Sequence, residues 1–144
     1  MLPELNNVLK YTNTYVLERY TKDYPNNSLT AEDALRELLK YFWLSHKYSS
    51  DLQLNPDDKS LHFFCAMHDE MKEIDDMWHT FLLFTKDYMS FCNNYFSKFI
   101  HHEPVMILNK PSDEDFETDL TRYLSYVYDH LGEETVRIWF NEYS

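Results

Sequence analysis

Along most of this chain hydrophobic residues return every three or four positions, with polar residues between them, which is the pattern of amphipathic helices. Residues 4–22 place Leu5, Val8, Leu9, Thr12 and Val16 on one side, and the turn-rich run Tyr24-Pro25-Asn26-Asn27 must end that helix. A second helix starts at Thr30, a good N-cap followed by Glu32 and Asp33 in the first turn. Ala34, Leu35, Leu38, Leu39 and Phe42 form its buried stripe, and Trp43 widens it. His46 falls on the same side near the predicted C-terminus, where an imidazole suits the helix dipole, and reads as structural. Tyr48 to Leu54 reads as a connection. Asn55-Pro56-Asp57-Asp58 then signals a third helix carrying Leu61, Phe64, Cys65 and His68 along one side.

The densest stretch is residues 73–104. Trp78, Phe81, Leu82, Thr85, Tyr88 (or Met89), Cys92, Tyr95 (or Phe96) and Phe99 recur at helical spacing. They predict either one long helix or two with a break near Lys86-Asp87. Phe81, Leu82, Leu83 and Phe84 are apolar all round, so this stretch is expected to be the element against which the others pack. His101-His102-Glu103-Pro104 should end it. After a linker through Lys110-Pro111, Ser112 caps a helix with Asp113, Glu114 and Asp115 in its first turn. Its stripe is Phe116, Leu120, Tyr123, Leu124, Val127, Tyr128 and Leu131, and Gly132 stands where a helix C-terminus favours positive φ. Residues 133–143 give a last short helix with Val136, Trp139, Phe140 and Tyr143 inward. The expected fold is all-α, about six helices in a compact array, a single domain over residues 1–144.

Composition narrows the function more than the fold. A chain of 144 residues, 44% hydrophobic, buries a core without help from disulfides or metal. Two cysteines, Cys65 and Cys92, read as reduced thiols of a cytoplasmic protein, and no apolar run nears the roughly 20 residues that span a bilayer. The single glycine, Gly132, excludes a P-loop, a dinucleotide fingerprint and a G-x-S-x-G nucleophile elbow. The reading therefore leans away from an enzyme.

The net charge is −12 and uneven: residues 1–60 carry seven Lys/Arg against nine Asp/Glu, residues 61–144 six against sixteen, giving −2 and −10. An acidic half repels a phosphate backbone, so direct nucleic-acid binding is not expected, nor is a membrane partner. A protein partner with a basic surface is. In the sharper version spaced carboxylates imitate nucleic-acid phosphates and block a basic groove, as an inhibitor would. The places for this are Asp69, Glu70, Glu73, Asp75 and Asp76 and, separately, Asp113, Glu114, Asp115, Glu117 and Asp119. The plainer reading is that these acids favour helix starts and keep a small protein solvated.

Cys65-Ala66-Met67-His68 has the spacing to hold a metal from one helix face, although a buried apolar cysteine explains it as well. A second constellation runs from Asp75-Asp76-Met77-Trp78-His79 through Tyr88 and Cys92 to His101, His102 and Pro104. In that order these residues resemble the block of the glycine-rich domain protein-like family, in its helical N-terminal region. That pattern reads Asp, two residues, Trp-His, one residue, His, then Tyr, Cys and His-His-x-Pro. The resemblance implies a helical fold and no particular activity. This chain departs from it at Phe81, where the family has a second histidine. A zinc site here, structural or hydrolytic, would be built from His79 with Cys92, His101 or His102, and Asp75 one turn before His79. The competing reading has His79 and a terminal histidine hydrogen-bonding across the core, with Asp75 as cap or acceptor. A thiol enzyme using Cys65 or Cys92 has no local signature. The leading expectation is a non-enzymatic acidic interaction protein without cofactor, with zinc binding as the alternative.

Overall fold

The computed structural model describes residues 2–103 and 112–140. They form seven α-helices: α1 (Leu5–Val8), α2 (Thr14–Asp23), α3 (Ala31–Leu54), α4 (Lys72–Leu83), α5 (Thr85–Phe96), α6 (Asp113–Leu131) and α7 (Glu133–Trp139). Two short 3-10 turns, Lys59–Leu61 and Asp69–Met71, complete them, and no strand occurs among the described residues. The fold is all-α. No helix among these residues is long and apolar enough to cross a membrane.

The hub is α3, not the 73–104 stretch. α1, α2, α4 and α6 all pack on it, and Ala34, Leu38, Leu39, Phe42 and Leu44 are fully or almost fully buried. It also runs two turns further than its first stripe suggests, so residues 48–54 are helix rather than connection. The stripe continues through Tyr48 and Leu52, both packed on the core. Lys47 pairs with Asp51 at 3.2 Å, and Asp51 accepts from Tyr126 Oη at 2.6 Å. No breaker intervenes before Pro56. His46 therefore sits inside the helix, where the dipole does nothing for it. Its Nδ1 lies 2.6 Å from the Phe42 carbonyl and its ring stacks on Phe96 at 4.2 Å.

Two other predicted helices change. Residues 4–22 form two helices, because Asn13 restarts the chain by accepting from Tyr15 N and Val16 N at 3.1 and 3.3 Å. The third helix does not exist. Asp58 caps the first 3-10 turn instead, accepting from Ser60 N at 3.0 Å, and residues 62–68 have no regular secondary structure. Phe63 turns inward onto Tyr48, Tyr123 and Tyr126, while Phe64 is exposed. Aromatic packing by partners from α3 and α6 overrides a valid local start signal.

The dense stretch divides at Phe84, two residues before the predicted break, into α4 and α5. α5 ends at Phe96, earlier than the histidines, because Ser97 takes the left-handed conformation at φ 57°. Ser112 caps α6 by accepting from Asp115 N at 3.1 Å, and Gly132 ends it at φ +92°. Within α6, Phe116 and Tyr128 are exposed rather than buried, and Tyr126 takes a core place instead. In and after α7, Trp139 and Phe140 are fully buried. Trp139 Nε1 donates to Glu37 at 2.9 Å, Glu37 pairs with Lys40 at 3.1 Å, and Lys40 donates to Thr135 at 3.1 Å. Pro104, the Lys110-Pro111 linker and Tyr143 lie outside the described residues.

Candidate metal centre

Asp75 and His79 are four residues apart on α4 and so share a face. His79 Nε2 lies 3.7 Å from Asp75 Oδ2. His102 arrives from the segment after α5, with its Nε2 2.7 Å from Asp75 Oδ1. One ligand atom from each of the three residues falls within 4.8 Å of the other two, and the two imidazole rings are 4.6 Å apart. The His79 side chain is 51% exposed, against 28% for Asp75 and 20% for His102, so the cluster opens to solvent on the His79 side.

The position of His102 has a traceable cause. Ser97 turns the chain out of α5, and the following segment comes back along α4. Tyr88 Oη donates to the Ile100 carbonyl at 2.5 Å and accepts from Trp78 Nε1 at 3.0 Å. The Trp78 ring lies 4.2 Å from His102 and is itself packed on Tyr41 and Phe42. Burial holds the Tyr88 phenol well above its usual value, so it stays a neutral donor. Two imidazoles and a carboxylate suit a borderline-soft divalent ion. Bonds of about 2 Å in a tetrahedron set ligand atoms about 3.3 Å apart. Here Asp75 stands 2.7 Å from His102 and 3.7 Å from His79 through its two different oxygens, with all three donor atoms inside 4.8 Å.

Of the five metal-ligand candidates, the structure brings together Asp75, His79 and His102 and leaves out Cys92 and His101. Cys92 faces the core from α5, and burial raises its thiol pKa. His101 is exposed and packs edge-on against Phe99 at 4.8 Å. The Cys65/His68 pair has no shared helix face at all. Burial pushes the Cys65 thiol up to about 12, and His68 sits among Phe116, Tyr123 and Phe140 with its Nε2 unpartnered.

The acidic positions also divide. Glu73 accepts from Ser28 N and Leu29 N at 2.9 and 2.8 Å, tying α4 to the α2–α3 loop. Asp76 is buried and accepts from Asn27 and Lys72, both at 3.0 Å. Asp119 accepts from Phe64 N at 2.8 Å. These three are internal acceptors. Asp69, Asp113, Glu114, Asp115 and Glu117 are exposed and Glu70 is half-buried. Sequence reasoning missed the buried Glu37–Lys40 pair, although Glu37 lies in phase with Ala34 and Tyr41, and that was the available signal.

Residues 8–131 match the model of a family described as UCP032817-like. That match replaces the resemblance to the glycine-rich domain protein-like family drawn from residues 75–104, whose few uncommon residue types recur outside that family. No curated protein and no solved structure matches the chain.

Proposed function

We propose that this chain, which belongs to the UCP032817-like family, is a helical domain that binds a divalent transition-metal ion, zinc by its donor set, through Asp75, His79 and His102. One observation carries the reading. Donor atoms from two segments, with Asp75 and His102 27 residues apart in sequence, converge within 4.8 Å on a surface open to solvent. A bound ion would join α4 to the segment after α5, so that binding adds to folding stability. Three protein ligands leave a coordination position for water.

The plainer account is a clamp in which Asp75 simply accepts a hydrogen bond from His102. His79 separates the two, because the 2.7 Å Asp75–His102 contact does not need it. The experiment is elemental analysis of protein purified without chelator or added metal, followed by calorimetric zinc titration. The metal reading expects about one equivalent of zinc and a fall in affinity of more than about 100-fold in His79→Ala. If the wild type takes up no zinc, or His79→Ala binds as the wild type does, the clamp account stands and this reading fails.

A further inference from the structure

Residues 69–76 and 113–119 are far apart in sequence, but the fold brings their ends to one place. The irregular segment 62–66 lies along α6, held by side chains from a single helix face. Asp119 accepts from Phe64 N at 2.8 Å, Arg122 donates to the His62 carbonyl at 3.0 Å, and Tyr123 donates to the Ala66 carbonyl at 2.8 Å. Phe63 is seated in the core and its neighbour Phe64 is turned outward, where it is 60% exposed. Phe116, one turn before Asp119, is 45% exposed, and its ring lies 6.5 Å from that of His68. Asp69 and Glu70 directly follow His68 in the chain, and the His68–Phe116 ring contact brings that end of the first acidic run beside the start of α6.

Two phenyl rings standing in water, with acids around them, have the anatomy of a binding patch: an apolar centre and a charged rim. Two exposed acids elsewhere are paired, Asp23 with Arg19 and Glu133 with Arg137, both at 2.7 Å. Others such as Glu32 and Asp33 are unpaired among the described residues but stand beside no exposed phenyl ring there. The rim acids Asp69, Asp113, Asp115 and Glu117 engage no base among the described residues, and Arg122 is turned to a backbone carbonyl instead.

We infer that this face, Phe64 and Phe116 within a rim of Asp69, Asp113, Asp115 and Glu117, docks a basic, amphipathic segment of a protein partner. Charge selects the occupant. A nucleic acid or an anionic bilayer is repelled, and a second copy brings the same acidic rim to meet its own. A segment alternating lysine or arginine with apolar residues meets the carboxylates and covers both rings together. This surface is independent of the metal site.

The probe is a fluorescein-labelled synthetic peptide alternating lysine with leucine, titrated with the full chain by fluorescence anisotropy at low and physiological salt. Phe64→Ser/Phe116→Ser should weaken binding at least about tenfold. Asp113→Lys/Asp115→Lys should weaken it and flatten its salt dependence. Glu32→Lys/Asp33→Lys, the same charge change on exposed acids at the start of α3, should stay within about twofold. Circular dichroism checks each fold first, and Phe116→Ser alone serves if the double variant unfolds. The inference is overturned if removing the rings has no effect, or if reversal at Glu32 and Asp33 costs as much as at Asp113 and Asp115. A dimer in sedimentation equilibrium that Phe116→Ser dissolves would overturn it too, by giving the face to a second copy.

Discussion

Replacing Tyr88 with phenylalanine tests how the fold positions the metal ligands. The ring keeps its place, since it packs edge-on against Phe81, Phe42 and Phe99 at 4.9, 6.3 and 5.4 Å, and only the hydroxyl is lost. Two hydrogen bonds go with it. The buried Trp78 indole N–H loses its acceptor, which costs about 1–3 kcal/mol because no water reaches it. The Ile100 carbonyl loses a donor but lies in a partly exposed segment, so that loss is about 0.5–1.5 kcal/mol. The sum is about 1.5–4.5 kcal/mol, read as a lower urea midpoint at unchanged m-value, with chelator present so that metal does not contribute. The same substitution frees the segment carrying His102, and zinc affinity should drop about 10–100-fold, the range for an outer-shell partner. Stability loss below about 0.5 kcal/mol would contradict the burial argument. A full stability loss with unchanged zinc affinity would refute the claim that Tyr88 places His102.

Three further outcomes follow from groups remote from that site. Glu37→Ala strands Lys40 and the Trp139 N–H inside the core and should cost about 3–5 kcal/mol in urea unfolding, whereas an exposed Glu32→Ala should be near neutral. Burial holds the His46 and His68 imidazoles below their usual 6.5, so the unfolded chain binds more protons. Their contribution is whole above pH about 6.5 and is lost as pH falls through the lowered folded values; Tm should drop between about pH 7 and 5.5, less steeply in His68→Phe, and a rise would contradict the sign. Burial also raises the pKa of both thiols, Cys65 to about 12. A thiol reagent should therefore label neither in the native state and both in denaturant, and rapid native labelling would show an accessible thiolate.

What the sequence disclosed was mostly short-range. Thr30, Ser112 and Gly132 act within one helical turn of themselves, so their capping roles were legible without tertiary structure. Asn13 does the same kind of work but was hidden, because the apolar stripe from Leu5 to Val16 runs on in phase across the break. The Asn55-Pro56-Asp57-Asp58 signal failed for a non-local reason: Phe63 is held against Tyr123 and Tyr126 on a non-helical backbone. At the candidate site, the Asp75–His79 pair follows from helical spacing alone. Choosing His102 over His101 or Cys92 does not, since the left-handed turn at Ser97 resets the phase of everything after it. Likewise the acids looked alike in one dimension, yet Glu73 and Asp76 are backbone and core acceptors while Asp113 and Asp115 face solvent.

The Trp139–Glu37 hydrogen bond spans 102 positions of sequence, and that span sets a timetable for the growing chain. A ribosome adding about 5–20 residues per second releases α3 seconds before the indole that covers its buried carboxylate. Until residues 139 and 140 emerge, Glu37 and Lys40 lack that indole and the apolar floor between α3 and α6 is unroofed. Closing so long a loop is entropically cheap per added residue, but on the ribosome that hydrogen bond forms only once the C-terminal residues are out. A stop codon at Trp139 would thus leave α1 to α6 encoded and still leave the Glu37 carboxylate without its indole partner.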